Sequence, residues 1–308
     1  MHPVLFEIFG KEIHFYQVAL PSAILLGIFL CSRRVRVEGL SEEAFLGAAL
    51  AAIFGVLIGG RLLDVIVRWD YYSVDLARIF TNRAGAVFYG GYIGALLGAF
   101  GYLKIKKQPY LAHQDVACTY FGLGLAVHRT FGCFMAGCCF GGPTNLPWGV
   151  TFPEGSRAWK AFDGHAVHPS QLYEALLGLL IFATVITYRN KRGNSRVYGE
   201  LFAVQLYMYG IGRFLLEFLR GDGSRGQFGV FSTSQWISIV MVLMAGAINV
   251  YTYRMKQLVS QGKLSPVGVM EPPPLTGASS GKSGSGRSGS GKAAKKSGGK
   301  KSSKGKSK

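Results

Sequence analysis

Residues 277 to 308 contain no aspartate and no glutamate, yet hold ten lysines and arginines. That one-sided segment accounts for most of the formal net charge of +18, because the remaining chain carries 24 basic and 16 acidic residues, a net of +8. The body is only modestly basic, and no specific nucleic-acid partner is expected of it. The tail also lacks large apolar side chains, so its Gly, Ser, Lys and Ala cannot offset the entropy of ordering, and it is expected to be disordered. It reads either as a polybasic segment drawn to anionic lipid headgroups or as a solvated tail of topological value only. Other absences exclude more. The first residues show no basic stretch and no small-residue cleavage pattern, so no cleavable signal peptide is expected and the first apolar run is expected to act as an uncleaved anchor. No pair of internal repeats with broken helices is visible, which counts against a transporter.

Long apolar runs dominate what is present. The hydrophobic share is 49% and the mean hydropathy +0.25, averages diluted by the tail. A membrane span needs about 20 largely apolar residues, and seven segments qualify: near 15 to 32, 44 to 66, 86 to 103, 115 to 132, 171 to 188, 199 to 219 and 232 to 253. The expected architecture is therefore all-α and polytopic, with a transmembrane domain over 1 to 255, a linker over 256 to 276 and the tail over 277 to 308.

Basic residues are retained on the cytoplasmic side when they lie close to the membrane. Arg33, Arg34 and Arg36, then Lys104, Lys106 and Lys107, then Arg189, Lys191, Arg192 and Arg196 mark alternate loops as inside, joined by Arg254, Lys256 and the tail. The other loops hold fewer. The N-terminus is expected outside and the C-terminus in the cytoplasm.

With that orientation, the charged residues inside the spans gather at one level. Arg61 and Asp64, His128 and Arg129, and Arg213 with Glu217 fall near the outer ends of their spans, as do Tyr89 and Glu174. A charge in a bilayer costs roughly 2.5 to 3.5 kcal/mol even on lenient insertion scales, so such residues face a protein interior. Arg213, Glu217 and Arg220 share a helix face with Tyr209. Arginine grips phosphate through paired hydrogen bonds and stays charged when desolvated, so an anionic lipid phosphate is the natural ligand. Two plainer readings stand beside this one: Arg61 with Asp64 and Arg213 with Glu217 can neutralise each other, and Tyr16, Tyr89 and Tyr209 can be interfacial belt residues.

Glycine-rich runs at 55 to 60, 90 to 98 and 122 to 124 read chiefly as close helix contacts. The long segment from Cys133 to Ser170 carries Cys133, Cys138, Cys139, His165 and His168. Its C-x4-C-C spacing, with the histidines 26 to 30 residues later, is not that of a metal motif. Neither a metal nor an organic cofactor is expected, and free buried thiols are favoured over a disulfide. Cys31 and Cys118 read as small apolar fillers.

Several strings resemble the prolipoprotein diacylglyceryl transferases of bacterial inner membranes: Ile58-Gly-Gly-Arg-Leu-Leu-Asp64, Val87-Phe-Tyr-Gly-Gly-Tyr-Ile-Gly94, Gly132-Cys-Phe-Met-Ala-Gly-Cys-Cys-Phe-Gly141, Pro147-Trp-Gly-Val-Thr-Phe-Pro153, His168-Pro-Ser-Gln-Leu-Tyr-Glu174 and Gly212-Arg-Phe-Leu-Leu-Glu-Phe-Leu-Arg220. The resemblance covers most of residues 10 to 255 and implies an enzyme of the inner membrane. Such an enzyme moves the diacylglyceryl group of phosphatidylglycerol onto the lipobox cysteine thiol of a lipoprotein precursor and releases glycerol phosphate. It implies Arg213 and Glu217 at the core of the site, lined by Tyr16 and Tyr209, with Arg129 and Arg61 acting on the lipid headgroup. Tyr89, Arg220 and Glu174 join them as residues at the same level of the spans, and His128 as a substitute base beside the headgroup site.

Three positions depart from the family pattern. Tyr89 stands where many members have a histidine. His128-Arg-Thr-Phe-Gly132 stands for the usual Gly-Arg-x-Gly, which puts Arg129 one place early. Cys133 stands for an asparagine. A divergent paralogue with another acceptor, and a non-enzymatic phospholipid carrier or transporter, are the alternative functions.

Overall fold

Turn chemistry shapes the first residues of the chain. Strands β1 (Val4–Ile8) and β2 (Lys11–His14) pair antiparallel across Phe9 and Gly10, both at positive φ, as a two-residue hairpin turn requires. The computed structural model describes residues 4–81, 88–193, 196–222 and 227–263. The linker beyond 263 and the basic tail lie outside them.

Helix α1 (Phe15–Val37) follows at once, closed by a capping box between His14 and Gln17. Helix α2 (Glu42–Val67) starts on Ser41, whose hydroxyl accepts from Ala44 N, with Glu42 and Glu43 in the first turn where the helix dipole favours them. Two short helices, α3 (Trp69–Ser73) and α4 (Arg78–Thr81), lead to α5 (Phe88–Ile105). Helix α6 (Tyr110–Val127) runs on into a π-helical turn, His128–Phe134. An irregular segment with one short helix, α7 (Arg157–Phe162), reaches α8 (Ser170–Arg192) and α9 (Glu200–Glu217). A two-residue-per-strand hairpin, β3 (Gln227–Phe228) and β4 (Phe231–Ser232), precedes α10 (Thr233–Ser260), which has a Ser232/Gln235 capping box.

A long helix thus occupies each of the seven expected segments, and the chain is mostly helical. Four of the helices, α1, α2, α8 and α10, are long and apolar enough to cross a membrane. Their outward surfaces are apolar: α2 alone exposes Leu50, Phe54, Leu57, Ile58, Leu62 and Ile66. The interior is made where α6, α8, α9 and α10 meet, around Cys118, Ile181, Val185, Leu201, Phe202, Leu206, Met241 and Ala245. Cys31 packs with Val35, Phe45 and Val116, so both outlying cysteines are the apolar fillers expected.

Small residues set how closely the helices approach. A Cβ added at Gly55 would lie 2.1 Å from the Gly94 carbonyl oxygen on α5, and one at Gly122 would lie 2.2 Å from Gly178 O on α8. The second contact positions the site, because it brings the end of α6 against the start of α8.

At the opposite end, charge holds the bundle. Buried Glu38 accepts from Arg34 at 3.0 Å, Arg189 at 2.5 Å and Arg196 at 2.6 Å. Fully buried Asp115 on α6 caps α9 from outside, accepting from Gly199 N and Phe202 N at 2.9 Å each. Asp115→Ala leaves both donors orphaned, at about 1 to 3 kcal/mol each. A clear fall in the melting temperature of the detergent-solubilised protein is expected, and wild-type melting would contradict this reading.

Candidate active site

Glu174 is the fifth residue of α8 and its side chain is almost fully buried, 1% exposed. One carboxylate in that position needs partners, because an unpaired buried charge costs several kcal/mol. Three arginines from three chain segments supply them. Arg129 Nη2, from the π-helical turn, reaches Oε2 at 2.7 Å; Arg220 Nη1, beyond the end of α9, donates to Oε1 at 2.9 Å; Arg213 Nε, on α9, stands 3.9 Å from Oε1.

Each arginine has further partners, and these differ. Arg213 pairs with Glu217 one turn on at 2.6 Å and donates to Ser234 Oγ on α10 at 3.0 Å. Arg220 meets Asp222 with both Nε and Nη2, at 2.9 and 2.8 Å. Arg129 has Glu174 as its carboxylate partner, its Nη1 faces the Cys133 sulfur at 3.6 Å, and its Nε has no hydrogen-bond partner among the described residues. It is also the most exposed of the three, at 17% against 8% and 4%. Arg213 and Arg220 are therefore committed to the framework, and Arg129, the most exposed of the three, is the one placed to meet a ligand.

The π-helical turn explains how Arg129 gets there. An i→i+5 turn takes up one more residue than an α-helical turn, so the extra residue in His128-Arg-Thr-Phe-Gly132 is absorbed locally. Arg129, and not Thr130, meets Glu174. The wider turn also stacks His128 above Cys133, with Nε2 3.7 Å from Sγ.

The expected tyrosines fall around this cluster. Tyr16 on α1 meets the His128 ring edge-on at 5.4 Å, and Tyr209 stands beside Arg129 and Glu174 with its ring edge-on to Phe121 at 5.4 Å. Tyr89 lies in the first turn of α5, but its side chain falls outside the described residues. Arg61 belongs to another group. Its Nε and Nη2 donate to the carbonyls of Ile79 and Arg78 at 2.9 Å each, and its Nη1 is 3.6 Å from Asp64. Asp64 is bound more closely by Arg68, one turn on, and by Tyr72 Oη at 2.6 Å. The Arg61–Asp64 pairing is present but is one edge of a separate cluster on α2 and α3.

The irregular segment between the π-helical turn and α8 is tied to the same place. Gly141 N donates to His168 O at 2.9 Å and Gly142 N to Leu219 O at 2.9 Å, which fixes the approach to Arg220. A Cβ at Gly141 would lie 2.5 Å from His168 Cβ and 2.7 Å from Leu219 O, so only glycine fits. His168 Nδ1 lies 3.2 Å from the Tyr173 hydroxyl and His165 Nδ1 2.7 Å from Phe162 O. Cys31, Cys118, Cys133 and Cys138 are thiols outside any disulfide. Asp222 and Ser234 escaped the sequence reading. Asp222 had a signal, since it follows Arg220 by two residues; Ser234 had none, because its partner is 21 residues away.

Known proteins are similar to this chain over most of its length. The family model described as prolipoprotein diacylglyceryl transferase matches residues 3–251. A protein of Clostridium tetani named phosphatidylglycerol–prolipoprotein diacylglyceryl transferase is 34% identical, over 79% of this chain and 95% of its own length. Proteins of the same name from Finegoldia magna and Clostridioides difficile are 33% and 32% identical, over 84% and 83% of this chain and 98% and 97% of theirs. The match takes in the π-helical turn, α8 and α9, and with them every member of the Glu174 cluster except the role each plays: the chain belongs to the prolipoprotein diacylglyceryl transferase family.

Proposed function

We propose that this protein transfers the diacylglyceryl group of phosphatidylglycerol to the lipobox cysteine thiol of lipoprotein precursors. The acceptor thiol gives up its proton, which ends in solvent, and its sulfur attacks the glycerol carbon that bears the phosphate. A C–S bond forms, the C–O bond breaks, and its electron pair leaves with glycerol phosphate. The charge on the phosphate rises from one negative to two as the bond breaks, so donors fixed beforehand stabilise the transition state more than the ground state. The observation that carries this reading is the buried carboxylate of Glu174, which holds Arg129 at 2.7 Å while the Arg129 side chain stays partly exposed. Arg213 and Arg220 hold Glu174 in place, Glu217 and Asp222 fix those two in turn, and Tyr16 and Tyr209 line the approach.

The enzyme sits in the bacterial inner membrane as seven spans, with the N-terminus outside and the C-terminus in the cytoplasm. Residues 1 to 255 carry the reaction, 256 to 276 form the linker, and 277 to 308 form a polybasic cytoplasmic tail, either drawn to anionic lipid or simply solvated. Supporting this are the seven long helices, the basic loops on alternate sides and the apolar outward faces. The cluster then lies in the outer half of the bilayer, where a precursor emerging from the export machinery meets lipid. A reporter test separates this topology from others. Alkaline phosphatase fused within residues 143 to 168 is expected to be active and a fluorescent protein at the C-terminus to be bright; the reverse pattern would overturn the orientation.

The reaction itself is tested with detergent-purified protein, phosphatidylglycerol and a lipobox peptide, following thioether product and glycerol phosphate together. Arg129→Lys keeps the charge and loses the planar fork. It is expected to lower kcat by about 10²- to 10³-fold, the usual loss on removing one fixed donor to a developing anion. Glu174→Gln should do at least as much and also lower the melting temperature, since three guanidiniums lose their common anion. If lipid binds but is never consumed by the wild type, the protein is a carrier. If it is consumed without the peptide being modified, the acceptor is another molecule.

A further inference from the structure

Cys133, Cys138 and Cys139 have their sulfurs within 4.8 Å of one another. Spacing along the chain did not announce this, because the fold makes it in three steps. The π-helical turn aims Cys133 toward His128 and Arg129. Gly137 and then Cys139 adopt φ of +62° and +65°, reversing the chain so that the vicinal pair faces back. Cys139 is one of few non-glycine residues described in that region, a conformation costing of order 1 to 3 kcal/mol that persists only when neighbours impose it. They do: Ser170 Oγ donates to Cys139 O at 2.6 Å and Gln171 Nε2 to Cys138 O at 2.7 Å, both from the first turn of α8 and both fully buried. The helix that carries Glu174 thus also clamps the two thiols.

Three convergent thiols are the ligand set of a thiophilic cation, and three such ligands leave a tetrahedral ion one further coordination position. In a tetrahedral zinc site with bonds of about 2.3 Å the sulfurs stand roughly 3.8 Å apart, a little closer than the 4.8 Å within which these three lie. Arg129 touches both groups, Cys133 at 3.6 Å and Glu174 at 2.7 Å, so a ligand held at the thiols lies next to the donors assigned to phosphate.

We propose that Cys133, Cys138 and Cys139 hold a divalent thiophilic cation, zinc or a near equivalent, whose fourth position receives the acceptor cysteine and presents it as a thiolate beside Arg129. The acceptor half rests on the transferase reading; the three-cysteine cage does not. On binding, the acceptor thiol transfers its proton to the hydroxide it displaces from the cation, which leaves as water. The sulfur then forms the C–S bond, the C–O bond breaks, and the electron pair goes to glycerol phosphate. The thioether product is a poor ligand and is replaced by water, which returns a proton to solvent. A coordinated thiol is deprotonated without a side-chain base, which fits a chain with tyrosine at position 89, whose ordinary pKa is near 10.

Metal content tests the cage first. The full-length protein, purified without chelator or histidine tag, is expected to carry about one zinc per chain, falling at least tenfold in Cys138→Ser and in Cys139→Ser. A wild-type protein without metal overturns the proposal, whether its five thiols titrate free after unfolding or only three do because two form a disulfide. The cobalt-substituted protein tests the open position: its thiolate-to-cobalt absorption should intensify with a lipobox peptide and not with the same peptide carrying serine for cysteine. Bound metal with no such difference overturns delivery of the acceptor. Phosphatidylglycerol consumption by the same preparation keeps the two readings apart, since a protein that binds metal and peptide thiol yet consumes no lipid refutes the transferase and leaves the cage.

Discussion

One buried carboxylate organises the site. Glu174 is out of reach of solvent, and a lone anion there would cost more than the fold can supply, so the guanidiniums of Arg129, Arg213 and Arg220 have to be where they are. The dependence runs both ways. Three cations converging in a low-dielectric interior would repel one another without the anion between them, and Glu217 and Asp222 complete the balance by pairing with Arg213 and Arg220. With two arginines held on the framework side, the third has a fixed position and is the most exposed. Such prior fixing is what makes a donor effective toward charge that develops during reaction.

Backbone geometry delivers these charges as much as the charges hold the backbone. Gly122 against Gly178 lets α6 and α8 touch, the π-helical turn takes up one residue so that Arg129 points at Glu174, and Gly141 threads between His168 and Leu219 to bring Arg220 back over α8. A side chain at either kind of glycine would move one arginine by more than a hydrogen bond can stretch. The far end of the bundle repeats the same device, with Glu38 among Arg34, Arg189 and Arg196. A buried glutamate ringed by arginines is therefore used twice, and the ring containing Arg129 is the one that adjoins Cys133.

Much of this was legible in the chain. Apolar length alone located all seven long helices, and the four-residue spacing of Arg213 and Glu217 correctly predicted a pair on one face. Local rules of that kind reach one or two turns. Glu174 was visible as a charge at the right level, but its role as the common anion depends on Arg129 and Arg220, 45 and 46 residues away along the chain. Arg61 was legible as a charge near the same depth, yet the α4 carbonyls that hold it lie across a turn no periodicity describes. The cysteines were hidden for a third reason: their convergence depends on two residues at positive φ and on clamps from α8, none of which a spacing rule contains.

The central claim is that lipid phosphate is gripped at Arg129, beside the thiols and over Glu174. A cryo-electron microscopy structure of the protein with phosphatidylglycerol bound tests it most directly. The account predicts the phosphate within hydrogen-bonding distance, about 3 Å, of the Arg129 guanidinium, with its glycerol carbon facing Cys133, Cys138 and Cys139. Phosphate seated instead on Arg61, with Arg129 still turned to Glu174 alone, would contradict it and make the Glu174 cluster a brace of the fold.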